Sequence, residues 1–424
     1  MIAIPFVFFS ILFFKYQKKA GLLSVPALLL GVYMLTSFFA ILIDKMDLYT
    51  NICPYVDINI GTAILYCVLL YVTIVPFLKV NIHKVENIIP LKTTKWIDLL
   101  VYFYFFSFII IILLTYNDLI RNILLLGVNE ELKADFRFGI RKAISLSGFP
   151  LMVYNRLRFF SSSSLMLLFV LFYSLAFLKK KNWYNIIIFI GSLGCVYDAI
   201  IYIDRSIIIY WMMFFLLCIC VFYRFLDKKK KRIINILGLI VTGLIVCYVI
   251  YVNIARFSNL DISAGDQIIS YAGQSYINFS LFVQELDLPK YTTVHIFPYI
   301  THLMDPEFRG EDWHIYVQDK TGIFIMCFST FIGEFISNVG VFNTVLWCVC
   351  FYIISTYLLR RKRENEISVS QLFLFCILLC MPYLGIMVSY YHMYSRELGA
   401  LIFYFVFRIS SNKYRNEYNK NIVR

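Results

Sequence analysis

Three arginines stand at the ends of long apolar runs, where few other charges occur. Arg205 follows Asp204 in "YIDRSIII", Arg256 closes "VNIARF", and Arg396 lies in "YYHMYSREL". Arginine is always charged, and its planar guanidinium can bind two phosphate oxygens at once. The residue type and its repeated position therefore predict anion-binding side chains at one surface of an apolar protein.

One carboxylate and three histidines are the candidates for accepting a proton near those arginines. Glu334 lies within the apolar run "FIGEFISN", where a carboxylate is costly to bury and is a functional candidate by default. His392 lies in the same outer segment as Arg396, and His302 and His314 precede the ninth apolar run. We rank Glu334 first as a general base, His392 second and the other two histidines third. The alternative for Glu334 is an interfacial side chain paired with a basic neighbour.

Segment 266–286, "DQIISYAGQSYINFSLFVQEL", combines aromatic rings with amides. Its apolar residues recur at roughly helical spacing, and Tyr271, Gln274 and Asn278 recur every three or four residues. The pattern predicts an amphipathic helix that lies on the membrane or caps a cavity. Its polar face would suit a carbohydrate, because rings stack on C–H patches and amides bond hydroxyls. A helix that packs its Tyr and Phe against a bundle is equally consistent with the pattern.

Membrane-spanning helices must position these residues. Of the 424 residues, 61% are hydrophobic and 15% are charged, which excludes a soluble domain of this size. We predict an all-α polytopic membrane protein with a single multi-span domain over 1–424, and a break in the ninth span near Gly333 and Glu334. A crossing needs about 20 residues. The candidate spans are 2–14, 21–43, 60–78, 96–116, 159–178, 183–203, 206–226, 233–254, 322–358, 368–390 and 397–408.

Basic residues indicate which loops face the cytoplasm. Of the 39 Lys and Arg residues, 24 lie in alternate loops and in the tail, so the positive-inside rule places the N-terminus outside and the C-terminus inside. Two large loops, 117–158 and 255–320, are then extracytoplasmic. The first carries seven basic residues, Arg137 and Arg141 among them, against four acidic ones. That excess favours an anionic ligand there, and charge balance with local acids and lipid phosphates is the alternative.

Cysteine, histidine and glycine patterns give no support to metal, redox or ATP-driven chemistry. Ten of the eleven cysteines lie in apolar segments, and Cys53 is the exception. The sequence contains no CxxC pair, zinc spacing, HExxH, P-loop or GxGxxG. We therefore expect no cofactor and no metal site, and nucleic acid is not an expected partner.

The layout and several short segments resemble a known family. A many-span chain with large outer loops carries "DRSIII", "IARF", "YAGQSYINF" and "GEFISNVG" in that order. In addition, ten residues separate Arg137 from Gly148. In these features the chain resembles the bacterial oligosaccharide repeat-unit polymerases of the Wzy type, which build O-antigen or capsular polysaccharide.

The resemblance implies a GT-C-like helical glycosyltransferase that works at the outer face of the bacterial inner membrane. Its substrates would be undecaprenyl-diphosphate-linked oligosaccharides within the lipid bilayer, and a polysaccharide chain-length regulator would be a partner. The catalytic candidates are Glu334, His392 and Arg205. The candidates for binding substrate are Arg205, Arg256, Arg396, Arg137, Arg141, Tyr271, Gln274, Asn278, His302 and His314. The sequence departs from the family where Asp204 precedes Arg205 and where "GEF" lacks the aspartate of some members, so the base is not assigned by the resemblance.

Three other functions remain open. An O-antigen ligase would use the same outer-face chemistry. A lipid-linked oligosaccharide flippase would be expected to bury charges inside its helices, whereas most charges here lie at span ends and in loops. A metal-dependent transferase would need acidic residues in its first outer loop, where Asp44 and Asp47 lie.

Overall fold

Helices make up nearly all the regular structure of the chain. The computed structural model describes residues 1–50, 52–80, 82–126, 136, 141–178, 180–257, 264–286, 317–325, 327–361 and 365–411. Two short strands, β1 (Asn87–Ile89) and β2 (Glu366–Ser368), pair with each other. The all-α prediction is confirmed. The described helices are α1 (Ile4–Ala20), α2 (Val25–Met46), α3 (Ile60–Lys79), α4 (Lys95–Leu126), α5 (Gly148–Ser161), α6 (Leu167–Phe177), α7 (Asn182–Ser192), α8 (Gly194–Ile201), α9 (Ser206–Phe222), α10 (Lys228–Phe257), α11 (Ala264–Glu285), α12 (Thr330–Leu358), α13 (Val369–Leu384) and α14 (Tyr394–Ser411).

The chain is a helical, multi-pass membrane protein. Seven segments of the described chain are long and apolar enough to cross a bilayer: α2, α3, α4, α7 with α8, α9, α10 and α12. The count is eight if the bent pair α5 and α6 forms one span. Eleven spans stay a prediction, because α1 and α13 have only 17 and 16 residues and α14 carries charges at both ends.

The described residues form two compact units. The first comprises Met1–Ile88, Gly265–Ile367 and Leu374–Glu397. Within it, α11 packs tightly on α2, because a Cβ on Gly273 would lie 2.5 Å from the backbone nitrogen of Ala40. The helix in 266–286 is thus confirmed, and it lies within the bundle of this unit rather than on a membrane surface.

Hydrogen bonds at the two ends of α3 show which loops of the first unit lie at the same end of that unit. Before α3, the Asn59 amide donates to Gln284 at the end of α11 (2.7 Å) and its Oδ1 caps the helix. After α3, the Arg361 guanidinium donates to the Val80 carbonyl. The charge pattern assigns the segments before α3 and after α11 to the outside, and the segments after α3 and after α12 to the cytoplasm. The hydrogen bonds agree with this assignment, because each pair of segments lies at one end of the unit.

The ninth predicted span, α12, is interrupted at Gly340 and not near Gly333. Gly340 has φ 78° and ψ 170°, a backbone conformation that side chains rarely adopt. The carbonyls freed by the break are satisfied locally, since Thr344 Oγ1 donates to the Gly340 carbonyl (2.8 Å) and Asn343 Nδ2 to that of Val339 (2.9 Å). Gly333 serves close packing instead, because a Cβ there would lie 2.7 Å from the Cβ of Ser329, the residue before α12.

The second unit comprises Ile89–Ala264, Ser368–Phe373 and Leu398–Arg424. Within it, α4 packs on α7 and on α5, and α6 packs on α7 and on α9. Helix α4 continues to Leu126 and α5 begins at Gly148, so much of the segment predicted as the loop 117–158 is helical. The axis bends by 44° between α5 and α6. Little of α10 is buried within the described structure, so its apolar side chains are suited to contact with lipid.

Candidate functional site

Residues 385–393 follow α13 in the first unit, include a 3-10 turn at Tyr390–His392, and contact the start of α12. The Phe331 amide donates to the Gly385 carbonyl (2.8 Å), and the Thr330 amide donates to the Met387 carbonyl (2.9 Å). The first amides of a helix have no partner inside the helix. The 385–393 segment supplies those partners, so the start of α12 and this segment are held as one structure.

Glu334 and Arg396 hold two consecutive residues of the 385–393 segment. The Ser389 amide donates to Glu334 Oε2 at 2.5 Å, and Arg396 Nη1 donates to the Tyr390 carbonyl at 3.1 Å. The Arg396 guanidinium also lies 5.2 Å from the centre of the Tyr390 ring. Only 1% of Arg396 is exposed, whereas Glu334 is partly exposed. The Glu334 carboxyl group and the Arg396 guanidinium are close enough to interact electrostatically.

Helix α11 supports this site from a second side. The Asn278 Nδ2 atom donates to the Phe328 carbonyl (2.9 Å), just before α12, and the Tyr271 ring packs on Phe328. Gln274 and Asn278 are both buried, at 1% and 0% exposure. The amide side chains therefore help to hold the start of α12 in place, in addition to any contact with a ligand.

Two buried side-chain amide oxygens in this region have no hydrogen-bond donor within the described structure. Asn278 Oδ1 and Asn338 Oδ1 accept no hydrogen bond from the described residues. The Asn338 Nδ2 atom, in contrast, donates to the Glu334 carbonyl at 2.6 Å. Buried amide oxygens are normally hydrogen-bonded. Both oxygens are therefore suited to accept a bond from a hydroxyl group.

In the second unit, Arg205 precedes α9 as the sequence predicts. The Asp204 carboxylate accepts from the Ser206 amide (3.1 Å) and hydroxyl (2.8 Å), so it stabilises the start of α9. Ile203 has a positive φ of 54°, which makes the turn sharp. Arg205 is partly exposed and lies close enough to Tyr248 of α10 to interact with it electrostatically.

A second charged network in the same unit was missed by the sequence analysis. Asp198 accepts from the Tyr154 hydroxyl (2.7 Å) and from Arg158 Nε (3.0 Å), and the Arg158 guanidinium stacks 3.9 Å from the centre of the Tyr202 ring. One indication of it was present in the sequence, because Asp198 is the single acidic residue in the apolar segment "GCVYDAII". Its partners lie about forty residues earlier, so only the fold connects them.

The predicted site residues fall into three groups. Glu334, Arg396, Tyr271, Gln274 and Asn278 lie together in the first unit, and Arg205 and the exposed Arg141 lie in the second. The backbones of Arg256 and His392 lie in the last turn of α10 and in the 385–393 segment, but their side chains are outside the described structure. Residues 137, 302 and 314 (Arg137, His302 and His314) lie outside the described residues.

The acidic residues of the first outer loop have structural roles. The Tyr49 hydroxyl donates to Asp44 Oδ1 at 2.9 Å, and Asp47 ends α2 with a left-handed backbone. The described part of the chain contains no group of three or more His, Cys, Asp or Glu side chains that could hold a metal ion.

No protein-family model, curated protein or solved structure matches the chain.

Proposed function

We propose that the protein is a membrane glycosyltransferase that polymerises lipid-linked oligosaccharide repeat units. It would transfer a growing glycan from undecaprenyl diphosphate to a hydroxyl of a fresh lipid-linked unit, at the outer face of the bacterial inner membrane. The sequence resemblance motivates the proposal. The observation that carries it is that the Glu334 carboxyl group and the Arg396 guanidinium bind consecutive residues of the 385–393 segment inside an apolar unit.

In this reaction the bond between the anomeric carbon and the diphosphate oxygen breaks, and the acceptor oxygen bonds to that carbon. The acceptor hydroxyl loses its proton, and the lipid diphosphate leaves with the electron pair of the broken bond. Glu334 is the proposed base, because its Oε2 binds Ser389 and no other hydrogen bond to its carboxylate forms within the described structure. Arg396 balances the charge of Glu334 in the first unit. Arg205 lies in the second unit, and its role as a ligand of the leaving diphosphate stays a prediction from the sequence.

Glu334→Gln and Arg396→Lys test the proposal in the native host. Each variant is compared with the same change at an exposed position of the first unit, Glu285→Gln or Arg360→Lys. Protein amounts are measured by blot, and surface glycan is resolved by gel. We expect normal amounts of both site variants, with the glycan ladder reduced to single repeats, and full ladders in both controls. Full ladders in the site variants would contradict the proposal.

A flippase is the second candidate, and the burial of Arg396 favours it. Charges inside the bundle were the feature expected of a flippase, and Arg396 is 1% exposed. Discontinuous membrane-spanning helices line the binding sites of many transporters, and α12, a candidate span, is interrupted at Gly340. Loss of all surface glycan from the site variants, single repeats included, would favour this candidate. Long polymer retained on its lipid carrier would instead indicate a ligase.

A further inference from the structure

Two of the eleven cysteines, Cys53 and Cys327, lie outside the helices, and both belong to the first unit. Cys53 lies between α2 and α3, where its backbone exchanges two hydrogen bonds with Thr50 (2.9 and 3.0 Å). Cys327 precedes α12, although the sequence analysis placed it inside the ninth span. Both side chains are buried.

Asn278 brings the backbones of the two cysteine segments together. Its Nδ2 atom donates to the carbonyl of Ile52 (3.1 Å), the residue before Cys53. The same nitrogen donates to the carbonyl of Phe328 (2.9 Å), the residue after Cys327. One buried amide nitrogen therefore joins the two segments. In addition, the two thiols are close enough to interact electrostatically.

We propose that Cys53 and Cys327 form a disulfide bond at the extracytoplasmic end of the first unit. Both residues are free cysteines in the structure. The charge pattern of the loops assigns both segments to the outer side, and disulfides persist in oxidising compartments outside the cytoplasm. The proposal does not depend on the glycosyltransferase activity.

The oxidation requires a thiol–disulfide oxidoreductase as electron acceptor. One cysteine thiolate attacks the disulfide of that enzyme and forms a mixed disulfide, which releases one enzyme thiolate. The second cysteine thiolate then attacks the sulfur of its partner cysteine and releases the other enzyme thiolate. One sulfur–sulfur bond forms in the chain and one is reduced in the enzyme. Two electrons are transferred, and the two protons lost by the cysteines pass to the enzyme thiols.

Burial determines when this exchange can occur. It raises the pKa of the Cys53 thiol to about 12 and also raises the pKa of the Cys327 thiol. The thiolate is the reactive form, so both cysteines react slowly once the unit has folded. We therefore expect the bond to form while the segments are still accessible during folding, and to resist reductants afterwards.

Differential thiol labelling tests the proposal on the full-length protein in native membranes. Free thiols are blocked with N-ethylmaleimide in denaturant. The sample is then reduced and labelled with polyethylene-glycol maleimide. We expect two labels per wild-type chain and none in Cys53→Ser or Cys327→Ser, where the remaining cysteine is already blocked. The matched control Cys350→Ser, an exposed cysteine of α12, should keep two labels.

A wild-type chain that takes up no label after reduction would overturn the proposal without reference to any variant. Two labels that persist in Cys53→Ser would also overturn it, because another pair would then be bonded. Mass spectrometry of the unreduced wild-type protein gives a separate readout, in which the peptides that contain Cys53 and Cys327 should be recovered as one cross-linked species.

Discussion

Glu334 and Arg396 bind neighbouring backbone groups of a single segment, residues 385–393. The carboxylate accepts from the Ser389 amide and the guanidinium donates to the Tyr390 carbonyl. Both side chains therefore depend on the position of the same segment, and a shift of that segment would affect both. A substitution at either residue should affect the geometry of both, and variants that keep the shape of the side chain are the most informative.

Glu334→Gln should abolish polymerisation without unfolding the protein. Glutamine keeps the shape of glutamate, and its carbonyl oxygen can still accept from the Ser389 amide. It cannot accept a proton at neutral pH, and a general base typically contributes about 10²–10⁴-fold to the rate. The rate can be measured with purified enzyme and lipid-linked oligosaccharide extracted from a strain that lacks the gene. An unchanged rate in Glu334→Gln, beside an active Glu285→Gln control, would exclude Glu334 as the base.

Arg396→Ala should destabilise the protein more than the double variant Arg396→Leu with Glu334→Leu. The single change removes the bond to Tyr390 and leaves Glu334 without its compensating charge. Removing one of two interacting groups in an apolar interior is destabilising, whereas replacing both with apolar residues of similar volume is often nearly neutral. Thermal unfolding in a fixed detergent measures the difference. Equal losses in the single and double variants would show that the two charges are not coupled.

Arg205→Ala and Arg205→Lys should both collapse the glycan ladder. Lysine keeps the charge but lacks the two-pronged geometry that binds phosphate oxygens. Loss of one donor that stabilises developing charge costs about 10²–10³ in rate. Arg224→Lys, in the short turn after α9, is the matched control and should leave the ladder intact. A normal ladder in both Arg205 variants would reduce Arg205 to a turn residue.

Gly273→Ala should destabilise the first unit, and Gly243→Ala should not destabilise the second. A Cβ at position 273 would lie 2.5 Å from backbone atoms of Phe39 and Ala40. Because these are backbone atoms, the clash can be relieved only if α11 moves away from α2. Overpacking of this kind costs about 1–3 kcal/mol. Position 243, in α10, has no atom within 4 Å of the added carbon. Melting temperatures of the two variants compare the sites directly, and equal values would show that α11 shifts freely.

A chelator, and the variants Asp44→Asn and Asp47→Asn, should leave polymerisation unchanged. In the proposed chemistry a side chain accepts the proton and arginine stabilises the leaving lipid diphosphate, so no metal ion is required. Asp44 already accepts a hydrogen bond from Tyr49. Activity in the presence of EDTA measures the outcome. A loss of activity that Mg²⁺ or Mn²⁺ restores would favour the metal-dependent alternative.

Long apolar runs bounded by basic residues made the positions of α3, α9 and α10 predictable to within a few residues, because such runs have few alternatives in a bilayer. The break in α12 was less predictable. Glycine permits both a positive φ and close packing, and the sequence does not say which use applies at Gly333 or Gly340. The sequence placed Glu334 near the arginines in general terms, but its bond to Ser389 was not predictable, since Ser389 reaches it only through tertiary packing.

Helix α10 differs from the helices around Glu334 in that little of it is buried against the described protein. Five consecutive basic residues, Lys228–Arg232, precede its apolar stretch, and few of its side chains contact the described protein. With so few packing contacts in the described structure, the tilt of such a helix depends strongly on hydrophobic mismatch with the surrounding acyl chains. The depth of its far end, where Arg256 lies, should then follow the thickness of the bilayer, so membrane composition becomes a variable that sets the height of a predicted anion ligand.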